Sequence, residues 1–312
     1  MMPEISVIIC SHNPRPNYLR RALEALRHQN MAKTRWELLL VDNASTGSLA
    51  HLWDLSWHPS ARHIHESELG LSAARRRGII EASANLIVFV DDDNVLDAHY
   101  LSEAARIGRD LPSLGVWGSA SIKPEFETPP AEYLKHYLSL LALRESETSR
   151  LSKVLPCIEA TPWGPGLCVR AVVAKAYVDQ AQRSNIQITG RKGNELLCAE
   201  DDEFSYVALR AGFIIGIFPE LKVTHLIAKE RVTEQYLAKL VEGGAVSHIL
   251  IDYKWRQIVP RHQRSFRGFL SLLKNLIMNR GIDRRMGWAR LRGIAKAQTI
   301  IANKGAPYDI CK

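Results

Sequence analysis

The 312-residue chain is 46% hydrophobic and 24% charged with ordinary glycine and proline, which excludes disordered, fibrous and low-complexity classes. No apolar run reaches the ~20 residues of a membrane-spanning helix, and MMPEISVIICSHN reads as lacking the basic leader of a signal peptide. The net charge of +8 is uneven: Lys254 to Lys312 hold 14 Lys/Arg against 2 Asp/Glu, net +12, while the rest carries 27 against 31, net −4.

In chain order, ISVIIC (5–10) is a short apolar run of β-formers broken by Pro14 and Pro16. LRRALEALRHQ (19–29) follows with Leu19, Ala22, Leu23 and Leu26 at helical spacing. WELLLVDNAS (36–45) predicts a second buried strand, GLSAARRRGIIEAS (70–83) a helix, and LIVFVDDD (86–93) a third strand. This alternation predicts an α/β fold with a mainly parallel sheet covered by helices. LGVWGSASI (114–122) reads as a strand and 129–147 as a helix. Residues 161–178 run from a Gly/Pro loop through a short strand into a helix. CAEDDEFSYVALRAGF (198–213) is a helix opened by acids and stopped at Gly212, and 214–225 is strand on each side of Pro219. Beyond Glu230 the pattern is helical and increasingly basic, with a stripe of Phe266, Phe269, Leu270, Leu273, Leu276 and Ile277.

In open parallel sheets ligands collect at the carboxyl ends of strands. Here those ends carry SHN, VDN and DDDN. Asp91, Asp92 and Asp93 suit a hard divalent cation, which takes oxygen ligands and substrate phosphates, or else form a solvated strand end. Asp42 and Asn43 fit a nucleobase or ribose contact, or simply an Asx-turn. Of the three arginines at 75–77, Arg75 shares a helix face with Leu71 and Ile79 and is the one expected to face a site. In AEDDEF a carboxylate at a helix start is stabilised as an anion, the state a general base needs. Asp201 and Glu200 both lie near the inward face, and spacing does not separate them. His225, after a strand, is either a metal ligand or structural. The five cysteines include no CxxC pair, so structural zinc is not expected and a reducing cytoplasm is.

Six segments in order, SVIICSHN, LLLVDNAS, GLSAARRRGI, FVDDDNVL, WGPGLCVR and AEDDEFSYVALRAGF, resemble the family 2 inverting glycosyltransferases of bacterial polysaccharide and glycolipid type. The resemblance implies a GT-A fold, a catalytic domain over 1–228 and a helical basic extension over 229–312. It places Ser11, Asn13 and Asp42 at the nucleotide base and Arg75 at the uracil or phosphate region. Asp91 and Asp92 complete the donor-facing set. Asp93 and Asp91 become the metal ligands of a DxD pair, with Asp92 the spacer, and His225 lies near the metal or diphosphate. Residues 163–166 border the acceptor, Asp201 is the base, and Lys229 and Arg231 are candidates for phosphate contact. His12 and Arg76 depart from the family pattern, which has Tyr or Arg, and Asn, there.

The implied activity is metal-dependent, hexosyltransferase-like transfer from a nucleotide sugar, a UDP-sugar foremost, with Mn²⁺ or Mg²⁺. The implied acceptor is a saccharide or a lipid-linked sugar. Two rivals stay open: a non-catalytic nucleotide-sugar binder or scaffold, and a sugar nucleotidyltransferase, although CSHNPRPN has no glycine-rich loop. The basic tail carries no nucleic-acid motif. It suits an anionic membrane surface, which would make the enzyme peripheral, as well as it suits packing on the catalytic domain.

Overall fold

A computed structural model describes residues 2–186, 188, 190–193, 195–258 and 281–304. The first half runs β1 (Ile5–Ser11), α1 (Pro16–Arg27), β2 (Trp36–Asn43), α2 (Leu49–Leu52), β3 (Ala61–Glu66), α3 (Leu71–Glu81), β4 (Leu86–Asp91), β5 (Asn94–Leu96) and α4 (Tyr100–Asp110), so β1, α1, β2, α3 and β4 follow the apolar periodicity and α2, β3, β5 and α4 are added to it. After these come β6 (Leu114–Phe126), β7 (Arg144–Glu145), β8 (Arg150–Ser152), β9 (Cys168–Arg170), α5 (Ala171–Arg183), β10 (Arg191–Lys192) and β11 (Glu195–Leu196). The described chain ends with α6 (Glu200–Arg210), β12 (Ile214–Ile227), α7 (Glu234–Arg256) and α8 (Gly281–Lys304).

The main sheet runs β3-β2-β1-β4-β9-β6-β12-β5. β3, β2, β1 and β4 are mutually parallel, as are β6 and β12. β9 sits antiparallel between β4 and β6, and β5 antiparallel on β12. The α/β fold with a mainly parallel sheet and a helical C-terminal region is therefore the observed one. β1, β2 and β4 are buried on both faces, which is why they read as unbroken apolar runs rather than alternating ones. Each such Val, Leu or Ile contributes roughly 1.5–3 kcal/mol on burial.

Helix α3 lies close on β1 because residue 78 is glycine: a Cβ there would stand 2.6 Å from Ile8 Cγ2. That approach also presses Arg75, one turn earlier, against the sheet. Strand β12 crosses Pro219 as one element with a register shift between Phe218 and Lys222, so the proline is absorbed by a bulge.

One expectation differs. Residues 132–141 form a 3₁₀ helix instead of an α-helix through 147. It ends at Ala142 in the left-handed region, which turns Arg144 and Glu145 back onto β6 as β7. The strip at 161–178 is a loop, then β9, then α5, as read. The apolar stripe at 265–280 lies outside the described residues. Within them, α8 lies on α7, with Ala297, Ile294, Ile300 and Ile301 against the cluster of Val246, Ile249 and Leu250. No described helix is long and apolar enough to cross a membrane.

Candidate active site

The register of the parallel strands sets Ser11 beside Asp42 and Cys10 beside Asp91, so three polar clusters share one edge of the sheet. Their side chains divide the work. Asp42 is turned inward: Oδ1 accepts the Ser45 N–H at 3.1 Å and Oδ2 the Leu49 N–H at 3.0 Å. Burial works against its charge, but these N–H groups outweigh it and hold the carboxyl below its ordinary value. It closes an Asx-type turn at the start of α2. Asn43 is likewise structural, accepting from Gly70 N at 2.8 Å and donating to Glu68 O at 2.7 Å.

Asn13, exposed and in the left-handed region at φ 47°, accepts from the Thr46 N–H and hydroxyl, both at 2.9 Å. His12 Nδ1 lies 2.7 Å from the Asn43 carbonyl, which only accepts, so Nδ1 carries the ring proton. Its Nε2 then accepts from Asn13 Nδ2 at 3.1 Å. Ser11 donates its hydroxyl to Asp92 Oδ2.

The acidic run has three different environments. Asp91 faces Arg75, with Oδ1 3.6 Å from Nη2. Arg75, its side chain only 2% exposed, also pairs with Glu200 at 3.2 Å and lies over the Phe89 ring at 5.2 Å. Its guanidinium is thus turned onto two carboxylates instead of outward. Asp92 is pushed up to about 7 by burial, then by the Asp93 charge, with the Ser11 hydroxyl opposing. Asp93 goes the other way. Burial opposes its charge, but His225 and Arg231 outweigh it and hold the carboxyl below its ordinary value. Asp93 Oδ2 takes Arg231 Nη1 at 2.6 Å and lies 3.3 Å from His225 Nε2, while Oδ1 takes Asn94 Nδ2 at 2.8 Å. The antiparallel pairing of His225 with Asn94 creates this meeting.

The start of α6 completes the edge. Asp201 Oδ2 accepts the Gly164 N–H at 2.9 Å and Oδ1 the Asp202 N–H at 3.0 Å, which fixes the carboxylate while leaving it partly exposed. Glu200 is buried, with Oε2 unpartnered, and is pushed up to about 6 by burial, with Arg75 opposing. Gly190, at φ 60°, makes room for it: a Cβ there would stand 2.9 Å from the carboxylate. Gly164 marks the centre, since a Cβ on it would lie 3.4 Å from Arg75 Nη2, 3.8 Å from Asp201 Oδ2 and 4.0 Å from Asp91 Oδ2. The structure therefore brings Asp91, Arg75, Glu200 and Asp201 into one group and Asp93 and His225 into another. Asp42 and Asn13 are engaged with their own loops.

Two basic residues were missed from sequence. Arg144 lies 3.6 Å over the Trp163 ring and donates to the Thr161 and Ile158 carbonyls at 2.8 and 2.9 Å. Burial pulls it down to about 10, against Asp201 and Asp202. Arg191, on β10, adds positive charge that bears on Asp93, Asp91 and Glu200. Neither carries a local signal, because both reach the site from segments distant in sequence.

As a divalent-ion site, the donor chemistry fits: a carboxylate and an imidazole whose Nε2 faces it suit Mn²⁺ or Mg²⁺ in a site completed by substrate phosphates. Among the described residues no three acids, histidines or cysteines converge on one point, so a substrate would have to supply the remaining ligands.

Known proteins share parts of this sequence and its fold. Residues 6–151 match the model of Glycosyl transferase family 2. Those residues are a family 2 glycosyltransferase domain. The matched stretch ends at residue 151, so Asp201 and His225 lie beyond it. Glycosyltransferase AglE of Haloferax volcanii is 32% identical over 95 residues, 30% of this chain and 31% of that protein. EpsH of Bacillus subtilis is 28% identical over 127 residues, 40% of this chain and 35% of that one. The chain thus spans about a third of the length of these relatives. Among solved structures, S. aureus TarS 1–349 in complex with UDP-GlcNAc superposes with a TM-score of 0.51 at 17% identity, covering 95% of this chain and 90% of that one. The mannosyltransferase PcManGT from Pyrobaculum calidifontis, in complex with GDP-Man and Mn²⁺, gives 0.57 at 15% identity, covering 98% and 77%. At these identities the likeness establishes the shared GT-A glycosyltransferase fold.

Proposed function

We propose that the chain is an inverting glycosyltransferase moving a sugar from a nucleotide-sugar donor, a UDP-sugar first, to a saccharide or lipid-linked acceptor in surface polysaccharide or glycolipid synthesis. The observation that carries this reading is Asp201: a partly exposed carboxylate fixed by two backbone N–H groups, across Gly164 from the Asp91–Arg75 pair. In the reaction the acceptor oxygen bonds to the anomeric carbon as the bond from that carbon to the diphosphate oxygen breaks, and Asp201 takes the acceptor proton. One displacement inverts the anomeric centre and needs no second carboxylate as nucleophile. Glu200, committed to Arg75, is placed to support the base rather than replace it.

Asp93 and His225 would hold the divalent ion, with Asp91 turned to Arg75. Bound there, the ion supplies Lewis-acid stabilisation of the departing diphosphate. Ser11, Asn13 and Asp42 shape the loop edge on the base side, and Trp163 with Arg144 the acceptor side. Residues 1–228 are assigned as the catalytic unit and 229–312 as its extension, whose basic charge suits an anionic bilayer surface.

A thermal-shift panel of UDP-, GDP-, CMP- and dTDP-sugars with and without Mn²⁺ tests the reading. One nucleotide class should raise the melting temperature, more so with metal; no response to any class overturns it. Asp201→Asn should lower transfer by at least ~10²-fold while retaining donor stabilisation. Equal loss of both would remove Asp201 from the role of base. Asp93→Ala should abolish the Mn²⁺-dependent part of that stabilisation.

A further inference from the structure

Asp93 and His225 already have a cation between them. Arg231 Nη1 is 2.6 Å from Asp93 Oδ2 and 3.1 Å from His225 Nε2. Nε2 itself lies 3.3 Å from Asp93 Oδ2, so the three atoms form one tight group. The other ring nitrogen, Nδ1, is buried without a partner. The two groups that could ligate a metal thus both face one guanidinium. Arg231 itself is 11% exposed, and its Nε is buried without a partner. It stands on the 3₁₀ turn Lys229–Val232, anchored by Lys229 N on Glu127 Oε2 at 2.9 Å and by the Glu230–Arg15 ion pair.

We propose that Arg231 is a built-in counter-cation occupying the divalent-ion position on Asp93 and His225, which the ion must take by displacing it. The inference rests on the reading of a nucleoside diphosphate at this edge. Arg231 Nη1 lies 2.6 Å from Asp93 Oδ2 and 3.1 Å from His225 Nε2, so guanidinium and metal exclude each other there. A displaced, largely buried guanidinium needs a new anion, and a diphosphate offers it paired oxygens. Metal and nucleotide therefore bind interdependently, each strengthening the other by the same factor, ~5–150-fold in typical couplings. The ion alone binds weakly because it evicts an arginine with nowhere to go.

The test is Mn²⁺ binding to the full chain, read by electron paramagnetic resonance of the free ion, without nucleotide and with UDP or GDP. Wild type should bind Mn²⁺ alone weakly. Arg231→Met should bind it at least tenfold tighter, and Mn²⁺ alone should raise that variant's melting temperature more than wild type's. Arg231→Lys, which keeps the charge, should stay nearer wild type, and Asp93→Asn added to Arg231→Met should erase the gain. Unchanged Mn²⁺ affinity in a folded Arg231→Met protein, or a gain that survives Asp93→Asn, overturns the proposal. If neither UDP nor GDP binds wild type with Mn²⁺, the donor reading falls, and the metal-only arm still decides the role of Arg231.

Discussion

Glu200 and Asp201 are chain neighbours with opposite surroundings, and this contrast separates two carboxylates that spacing left equal. Glu200 is buried beside Arg75; Asp201 is held at the surface by Gly164. The Glu200 carboxyl is raised from 4.5 to about 6, by burial first. Because the folded-state value is the higher, its contribution to stability is complete below about 4.5 and is lost as pH rises through about 6. Glu200→Gln removes that titration. Between pH 4 and 7.5 wild type should therefore lose on the order of 2 kcal/mol relative to the variant, measured by nucleotide-free thermal unfolding. A difference that stays constant with pH would contradict the assignment. Asp42 shows the converse lesson. Its motif position suggested a nucleotide contact, yet both carboxylate oxygens are committed to backbone N–H groups.

The acidic helix α6 is secured from behind by α7. Lys254 pairs with Glu203, both buried, and the rings of Tyr206 and Trp255 stack at 5.3 Å. Cys198 N donates to Ser247 Oγ at 3.0 Å, so the residues leading into Asp201 are also tied to α7. Gly243 permits that closeness, since a Cβ there would lie 2.0 Å from the Leu196 carbonyl. Removing one partner of a buried ion pair strands the other charge, so Lys254→Ala should cost about 3–5 kcal/mol in urea unfolding. The double replacement Glu203→Leu with Lys254→Met should recover most of it. A single variant as mild as the double would mean the pair is not coupled. On the same face of the sheet, Gly78→Ala should cost about 1–3 kcal/mol by forcing α3 off Ile8.

Across the whole molecule, the last helix is part of the support for the site. Arg292 pairs with Glu242 at 2.8 Å and Lys296 with Glu195 at 2.6 Å, which ties α8 to α7 and to the β10–β11 hairpin. Close crossing is set by Gly293, where a Cβ would stand 2.4 Å from the Glu242 carbonyl. A chain ending at residue 258 uncovers the apolar cluster around Val246 and Leu250. It should melt below the full chain and lose transfer activity faster on heating, as followed by circular dichroism and turnover together. The basic charge of this region is thus partly spent on acids of α7 and the hairpin.

Periodicity and strand-end chemistry by themselves determined the parallel β1, β2 and β4, helix α3 and the acidic start of α6, because buried strands and amphipathic helices are written in local apolar spacing. They also determined which residue types meet at the sheet edge, since parallel strands deliver their carboxyl ends to one side. Tertiary structure alone decided how those residues pair. His225 reaches Asp93 only through the antiparallel register of β12 with β5, and Arg231 reaches both only because its turn is anchored on Glu127 and Arg15. Arg144 and Arg191 come from segments with no motif. The division between Asp201 and Glu200 comes from burial, and burial is a property of the packed chain that no local spacing encodes.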